Sequence, residues 1–211
     1  MTDELDRIEE LLGRASRGDA ASWEELLGEH RDRLKRMIAL RMDPRLRGRI
    51  DASDVIQESF LEAWSRIEEF LRDRKTPFFL WLRYLTGQKL VTLHRHHLGT
   101  RMRDAGLEVS LQAGMPDASS AMLAAHLLGN DPRPSEVAQQ AERNLQLQEA
   151  LNRMSPVDRE VLALRHFEQL SRAETARVLG LEESATSKRY IRALAKLRGF
   201  LPELDDQGPP S

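Results

Sequence analysis

The 211-residue chain has no cysteine, which excludes a disulfide framework, a thiolate metal site and a cysteine nucleophile. Aromatic residues make up only 5% of it, so the cores it builds are modest ones. No hydrophobic run approaches the length needed to cross a bilayer, and the acidic opening Met1-Thr2-Asp3-Glu4-Leu5-Asp6 has no apolar signal core. The expectation is a cytoplasmic protein without membrane insertion. An excess of charge of one sign is also missing: the formal net charge of -2 excludes a uniformly basic nucleic-acid coat. Any DNA contact must come from local basic clusters, set against acidic surfaces that can face a protein partner. Convincing alternating strands, a serine elbow and a closely spaced glycine triplet are absent too.

What is present is most informative in the last quarter. Ser171 with Glu174 three residues on forms a capping box that starts a helix, Ala176 lets a partner helix cross closely, and Gly180 supplies the permissive turn backbone. A second helix follows, in which Thr186, Tyr190, Ala193 and Leu197 recur at steps of four, three and four and so share one buried stripe. This is the spacing of a helix-turn-helix. Lys188, Arg189, Arg192 and Lys196 fall largely outside the stripe, and Ser184 and Ser187 lie on the same helix. Such a helix fits the major groove, where arginine forks meet guanine edges and lysines meet phosphates. Base contact is expected of Lys188 and Arg189, near the helix start, and phosphate contact of Arg192 and Lys196. Glu182 and Glu183 favour the helix dipole but repel phosphates. The bland alternative is a three-helix bundle with a solvated basic stripe.

The rest of the chain also reads as helix. The pattern predicts helices over Leu5 to Ser16, from Trp23 to about Arg41 opened by Ser22 and Glu25, from a cap at Asp51 or Ser53 through to Phe70, and from Pro77 towards His97. These make a first domain of residues 1–103. From 104 to 140 the composition shifts to Gly, Ser, Ala and Pro, the mark of a linker, within which Met122, Leu123, Leu127 and Leu128 suit one short, weakly docked helix. The second domain spans 141–201, with Ser155-Pro156 as cap and first helical residue, and 202–211 is a tail expected to be disordered. The fold class is all-α: two small helical domains on a flexible linker, the second a helix-turn-helix.

Two surfaces of the first domain carry chemistry. Asp54, Gln57 and Glu58 are polar and lie within one helical turn, while Ile56, Phe60 and Trp64 sit at steps of four and are expected to point inward. The polar loop Leu71-Arg72-Asp73-Arg74-Lys75-Thr76 holds three cations, and the helix after it bears Trp81, Tyr84, Lys89, Arg95, His96 and His97. Cations near aromatics suit single-stranded DNA, the cations following phosphates while rings or pockets receive unstacked bases. Arg72, Arg74, Lys75, Lys89, Arg95 and His96 are the candidates. Trp81 is read as core, and solvated surface is the bland alternative for Lys89 and Arg95.

In their order and spacing these segments resemble the extracytoplasmic-function sigma factors of bacteria. Gly18-Asp19-Ala20 with Trp23-Glu24-Glu25-Leu26-Leu27 is similar to that family's opening helix, Asp51 through Phe60 to its polymerase-binding helix, and Phe79-Leu80-Trp81-Leu82 to the start of its promoter-melting helix. Arg159-Glu160-Val161-Leu162, Leu179-Gly180-Leu181 and Arg192-Ala193 through Leu197-Arg198 resemble its minus 35 reader. The resemblance implies that Asp54, Gln57 and Glu58 dock on the beta-prime coiled coil of core RNA polymerase. It further implies that the loop cations capture a flipped base of the minus 10 element, and that the second domain reads minus 35 while touching the beta flap. No cofactor and no metal are implied, and an anti-sigma protein or other regulator is the expected inhibitory partner. Gln88 and Thr92 stand where the family usually has Asn and Asp, and Thr186 stands where valine is usual.

Two other classes compete. A helix-turn-helix regulator with a helical sensor domain would bind paired half-sites as a dimer. A metal-dependent enzyme has its only hint in His94 and His97, three apart on one helical face with no further ligand motif to complete a site.

Overall fold

In the computed structural model of the chain, residues 2–98, 115–128 and 137–200 are described. All their regular structure is helical. They group into two compact units, and Pro116 onward belongs to the second.

The first unit is built on α1 (Thr2–Ala15), α2 (Ala20–Arg41), α3 (Ala52–Ser65), α4 (Ile67–Asp73) and α5 (Phe78–Leu98). α2 starts earlier than Ser22 and Glu25 suggest. The Asp19 carboxylate accepts hydrogen bonds from the Ala21 and Ser22 N–H groups at 3.1 and 3.3 Å and from the Ser22 hydroxyl at 2.8 Å, so Ser22 serves the cap instead of being it. Gly18 makes the preceding turn at φ 90°, a conformation that costs glycine little. Asp51 caps α3 through the Ser53 N–H at 2.7 Å. The helix expected to run on to Phe70 breaks at Arg66, whose N–H is shared among the carbonyls of the preceding turn, and α4 starts afresh.

Trp23, Trp64, Phe70, Phe78 and Trp81 form one cluster. Trp23 meets Trp64 and Phe78 edge-on at 5.2 and 6.1 Å, and Phe70 stacks on Trp81 at 4.7 Å. α3 packs on α5 through Val55, Ile56, Ser59 and Ala63, all buried.

The second unit comprises α6 (Ser120–Leu128), α7 (Val137–Arg153), α8 (Pro156–Leu162) continued by a π turn (Ala163–Phe167), α9 (Arg172–Leu179) and α10 (Glu183–Gly199). α6 lies within the stretch read as a linker, yet Leu123 and Ala124 are buried in the same core as Leu147 and Leu151 of α7. It is a core helix, because its apolar residues are too many to leave in water. The linker residues 104–114 and 129–136, and the tail 202–211, lie outside the described residues.

Candidate functional site

Local chemistry sets the helix-turn-helix. Ser171 Oγ accepts from the Glu174 N–H at 3.1 Å while Glu174 accepts from the Ser171 N–H at 2.7 Å, a complete capping box. Gly180 ends α9 in the left-handed region at φ 64°, and the Leu181 N–H closes the turn on the Ala176 carbonyl at 2.9 Å. α10 then buries Thr186, Ala193 and Leu197, with Tyr190 half-buried and hydrogen-bonded to His166 Nε2 at 2.8 Å. Ser184, Lys188 and Arg192 are exposed on the opposite face and Ser187 is half-buried beside them. Arg192 Nε donates to the Lys188 carbonyl at 3.4 Å.

Arg189 and Lys196 stand apart from that set. Both reach Asp158, at the start of α8, whose side chain is only 5% exposed: Arg189 Nη1 lies 3.2 Å from Oδ1 and Lys196 Nζ 2.6 Å from Oδ2. Burial pushes this carboxyl up, but the hydrogen bonds from Lys196, the Ser155 hydroxyl and Arg189, together with the Lys196 charge, outweigh it and hold its pKa below the usual value. The partner that engages these two cations sits 31 and 38 residues away in sequence, so nothing in the local pattern of α10 announces it.

In the first unit Asp54, Gln57 and Glu58 are all exposed on one side of α3. The sequence pattern places Trp64 inward with Ile56 and Phe60; only Ile56 is buried, Phe60 is partly covered, and Trp64 is 37% exposed. The inward positions are Val55, Ser59 and Ala63, because α5 crosses α3 on that side. Trp64 instead leans on Trp23 and, with Phe60 and Leu61, lines an apolar groove of about 360 Å³ whose rim includes Gln57 and Arg31. Leu61 is 65% exposed. Leu61 and Trp64 follow Gln57 at steps of four and three, so the one-sided spacing that would have found them was in the sequence.

The candidates for single-stranded DNA are not gathered in one place by their contacts. Arg72, Arg74 and Lys75 are exposed at the end of α4 and in the loop before α5. Arg74 caps α4 in the left-handed region at φ 33° and pairs with Glu9 of α1, while Lys75 Nζ lies 2.8 Å from Asp73. Lys89 pairs with Glu58 across the α3–α5 contact. Arg95 and His96 are exposed at the far end of α5, and Trp81 is half-buried on Phe70. His94 and His97 do not face one another as ligands: His94 is buried and its Nε2 accepts the Asp43 N–H at 3.3 Å, while His97 is exposed and packs on His96. Among the described residues no cluster of three or more His, Asp or Glu has metal-binding geometry.

These two units correspond to two known families. Residues 26–97 match the family described as Sigma-70 region 2, and residues 144–197 match Sigma-70, region 4. The ECF RNA polymerase sigma factor BldN of Streptomyces coelicolor is 29% identical over 197 residues, covering 93% of this chain and 67% of that protein. The chain belongs to the extracytoplasmic-function sigma factors. It is an alternative sigma factor, which directs transcription initiation in partnership with core RNA polymerase and promoter DNA. Similar sigma factors include CnrH of Cupriavidus metallidurans, 29% identical over 204 residues with 94% of this chain and 95% of that protein covered. SigD of Mycobacterium tuberculosis is 28% identical over 199 residues, with 94% and 85% covered. The solved structure of CnrH in complex with the cytosolic domain of CnrY shares the fold, with a TM-score of 0.52 and 23% identity over 96% of this sigma factor and 99% of that chain. Gln88 and Thr92 of α5 are linked to each other, the Thr92 hydroxyl donating to the Gln88 carbonyl at 3.0 Å.

Proposed function

We propose that the two units divide promoter recognition between them, by recruitment and without covalent chemistry. In the first, Asp54, Gln57 and Glu58, with Leu61 and Trp64 beside them, form the surface for the beta-prime coiled coil. Arg72, Arg74, Lys75, Arg95 and His96 follow the phosphates of the minus 10 strand as it opens. In the second, α10 enters the minus 35 major groove with Ser184, Lys188 and Arg192 foremost, and the unit also touches the beta flap. Unpairing bases costs a few kcal/mol per step, which captured bases and polymerase contacts offset. This makes the protein a regulator and not an enzyme, working in the cytoplasm where polymerase is.

The observation that carries this reading is the exposed row Asp54, Gln57, Glu58, Leu61 and Trp64: a polar patch continuous with an apolar groove, on a helix whose other side buries Val55, Ser59 and Ala63. Such a surface suits reversible protein docking, and an anti-sigma protein covering it would switch the factor off. CnrH, a relative, has been solved with the cytosolic domain of CnrY. Mixing the protein with core polymerase and sequencing run-off transcripts from genomic DNA tests the proposal. Starts clustered downstream of a shared minus 35 and minus 10 pair are expected. A palindromic footprint by the protein alone, with no transcripts, would favour a dimeric regulator.

A further inference from the structure

The geometry points to Asp158 as the residue that positions the minus 35 reading helix, through a two-pronged grip on Arg189 and Lys196. It rests on the proposed role of α10 and adds to it a residue that touches no DNA.

Arg189 and Lys196 are seven residues apart, so they lie two turns apart along one side of α10, about 10 Å at 1.5 Å per residue. A single carboxylate lies between them, with Oδ1 facing Arg189 and Oδ2 facing Lys196 at 3.2 and 2.6 Å. Two charged contacts spaced along a helix axis fix quantities that apolar packing leaves soft. Sliding α10 lengthens one contact as it shortens the other, and turning it about its axis by one residue breaks both. Thr186, Ala193 and Leu197 supply the burial beneath, but small and aliphatic side chains alone tolerate such shifts.

Asp158 is itself held. It lies in the first turn of α8, its N–H donates to the Ser155 hydroxyl at 3.2 Å, and its side chain is nearly buried. It is therefore a fixed reference from which the exposed row Ser184, Lys188 and Arg192 is aimed. Base readout needs hydrogen-bond geometry good to a fraction of an ångström, so a small loss of aim costs discrimination before it costs binding. Arg189 and Lys196 accordingly act through the clamp, and the base and phosphate contacts expected of them from their place on the helix pass to Lys188 and Arg192.

Competitive run-off from a randomised minus 35 library, using full-length protein with core polymerase at two salt concentrations, tests this. Asp158→Asn keeps the shape and removes the charge. It is expected to flatten minus 35 preference about tenfold, equivalent to about 1.4 kcal/mol of discrimination, with Asp158→Glu recovering part of the preference. Lys196→Met is expected to lose preference with an unchanged salt slope; a lysine on phosphate would instead weaken all sequences alike and reduce the slope by about one. Lys196→Met therefore decides the matter even if Asp158→Asn does not fold. Adding Lys196→Met to Asp158→Asn should flatten preference no further. Unchanged preference in Asp158→Asn with a lowered melting temperature, or a uniform loss in Lys196→Met, overturns the assignment. A wild-type holoenzyme without any minus 35 preference would instead overturn the proposed role of α10.

Discussion

Glu58 of α3 and Lys89 of α5 are bound to each other, one from the surface assigned to polymerase and the other from the helix assigned to minus 10 DNA. The pair is partly exposed, 52% at Glu58 and 30% at Lys89, so it contributes at most about 1 kcal/mol to stability. Its interest lies in specificity. Engaging Glu58 with a polymerase cation would free Lys89 for a phosphate.

Asp54 and Glu58 allow that idea to be checked. Asp54→Lys with Glu58→Lys should weaken polymerase capture by tenfold or more, with the helical circular dichroism intact, because both side chains are exposed. Glu58→Gln alone should retain most capture. A pull-down with unchanged affinity for the double variant would remove α3 from the docking surface.

Thr186 offers a stability test. It is 1% exposed, and its hydroxyl has no hydrogen-bond partner among the described residues. Thr186→Val keeps the shape and removes the orphaned group, so it should stabilise the second unit by about 1 kcal/mol. A urea midpoint that falls or stays put would contradict this.

The histidines give a pH dependence with a definite sign. Burial holds the His94 imidazole below its ordinary pKa, with Arg45 adding to the effect and the Asp43 carboxylate opposing it. Burial does the same at His166, helped by Arg165 and His126. Between the lowered native value and about 6.5 the unfolded chain takes up protons that the native one refuses, so stability falls as pH drops through that window. His94 Nε2 must stay unprotonated to accept the Asp43 N–H. Urea unfolding at about pH 7 and about pH 5.5 should show a lower midpoint in acid, and His94→Gln with His166→Gln should shrink the difference. An equal difference in the variant would mean other groups carry it.

How far the molecule is legible in its sequence depends on the range of the interaction. Ser171, Glu174 and Gly180 act within three residues or one turn, so the helix-turn-helix could be read directly. Asp19 and Ser22 are both able caps, and the choice fell to Asp19 through the Gly18 turn rather than through any propensity difference. The break at Arg66 was hidden because Ile67 and Phe70 continue the apolar rhythm of α3. Trp64 was misplaced because a step of four fits either flank of a helix, and only the direction from which α5 packs decides between them. The role of Asp158 is not legible in the sequence, since its partners on α10 are 31 and 38 residues away.

The division of labour between the units is tested most directly by Lys188→Ala with Arg192→Ala in reconstituted holoenzyme, compared on two templates. One is a duplex promoter, and the other has its minus 10 segment already unpaired and carries no minus 35 element. Initiation on the duplex should fall at least tenfold, about 1 to 3 kcal/mol per lost base or phosphate contact. Initiation on the opened template should equal wild type. Equal losses on both templates, or none on the duplex, would contradict the assignment of minus 35 reading to the exposed face of α10.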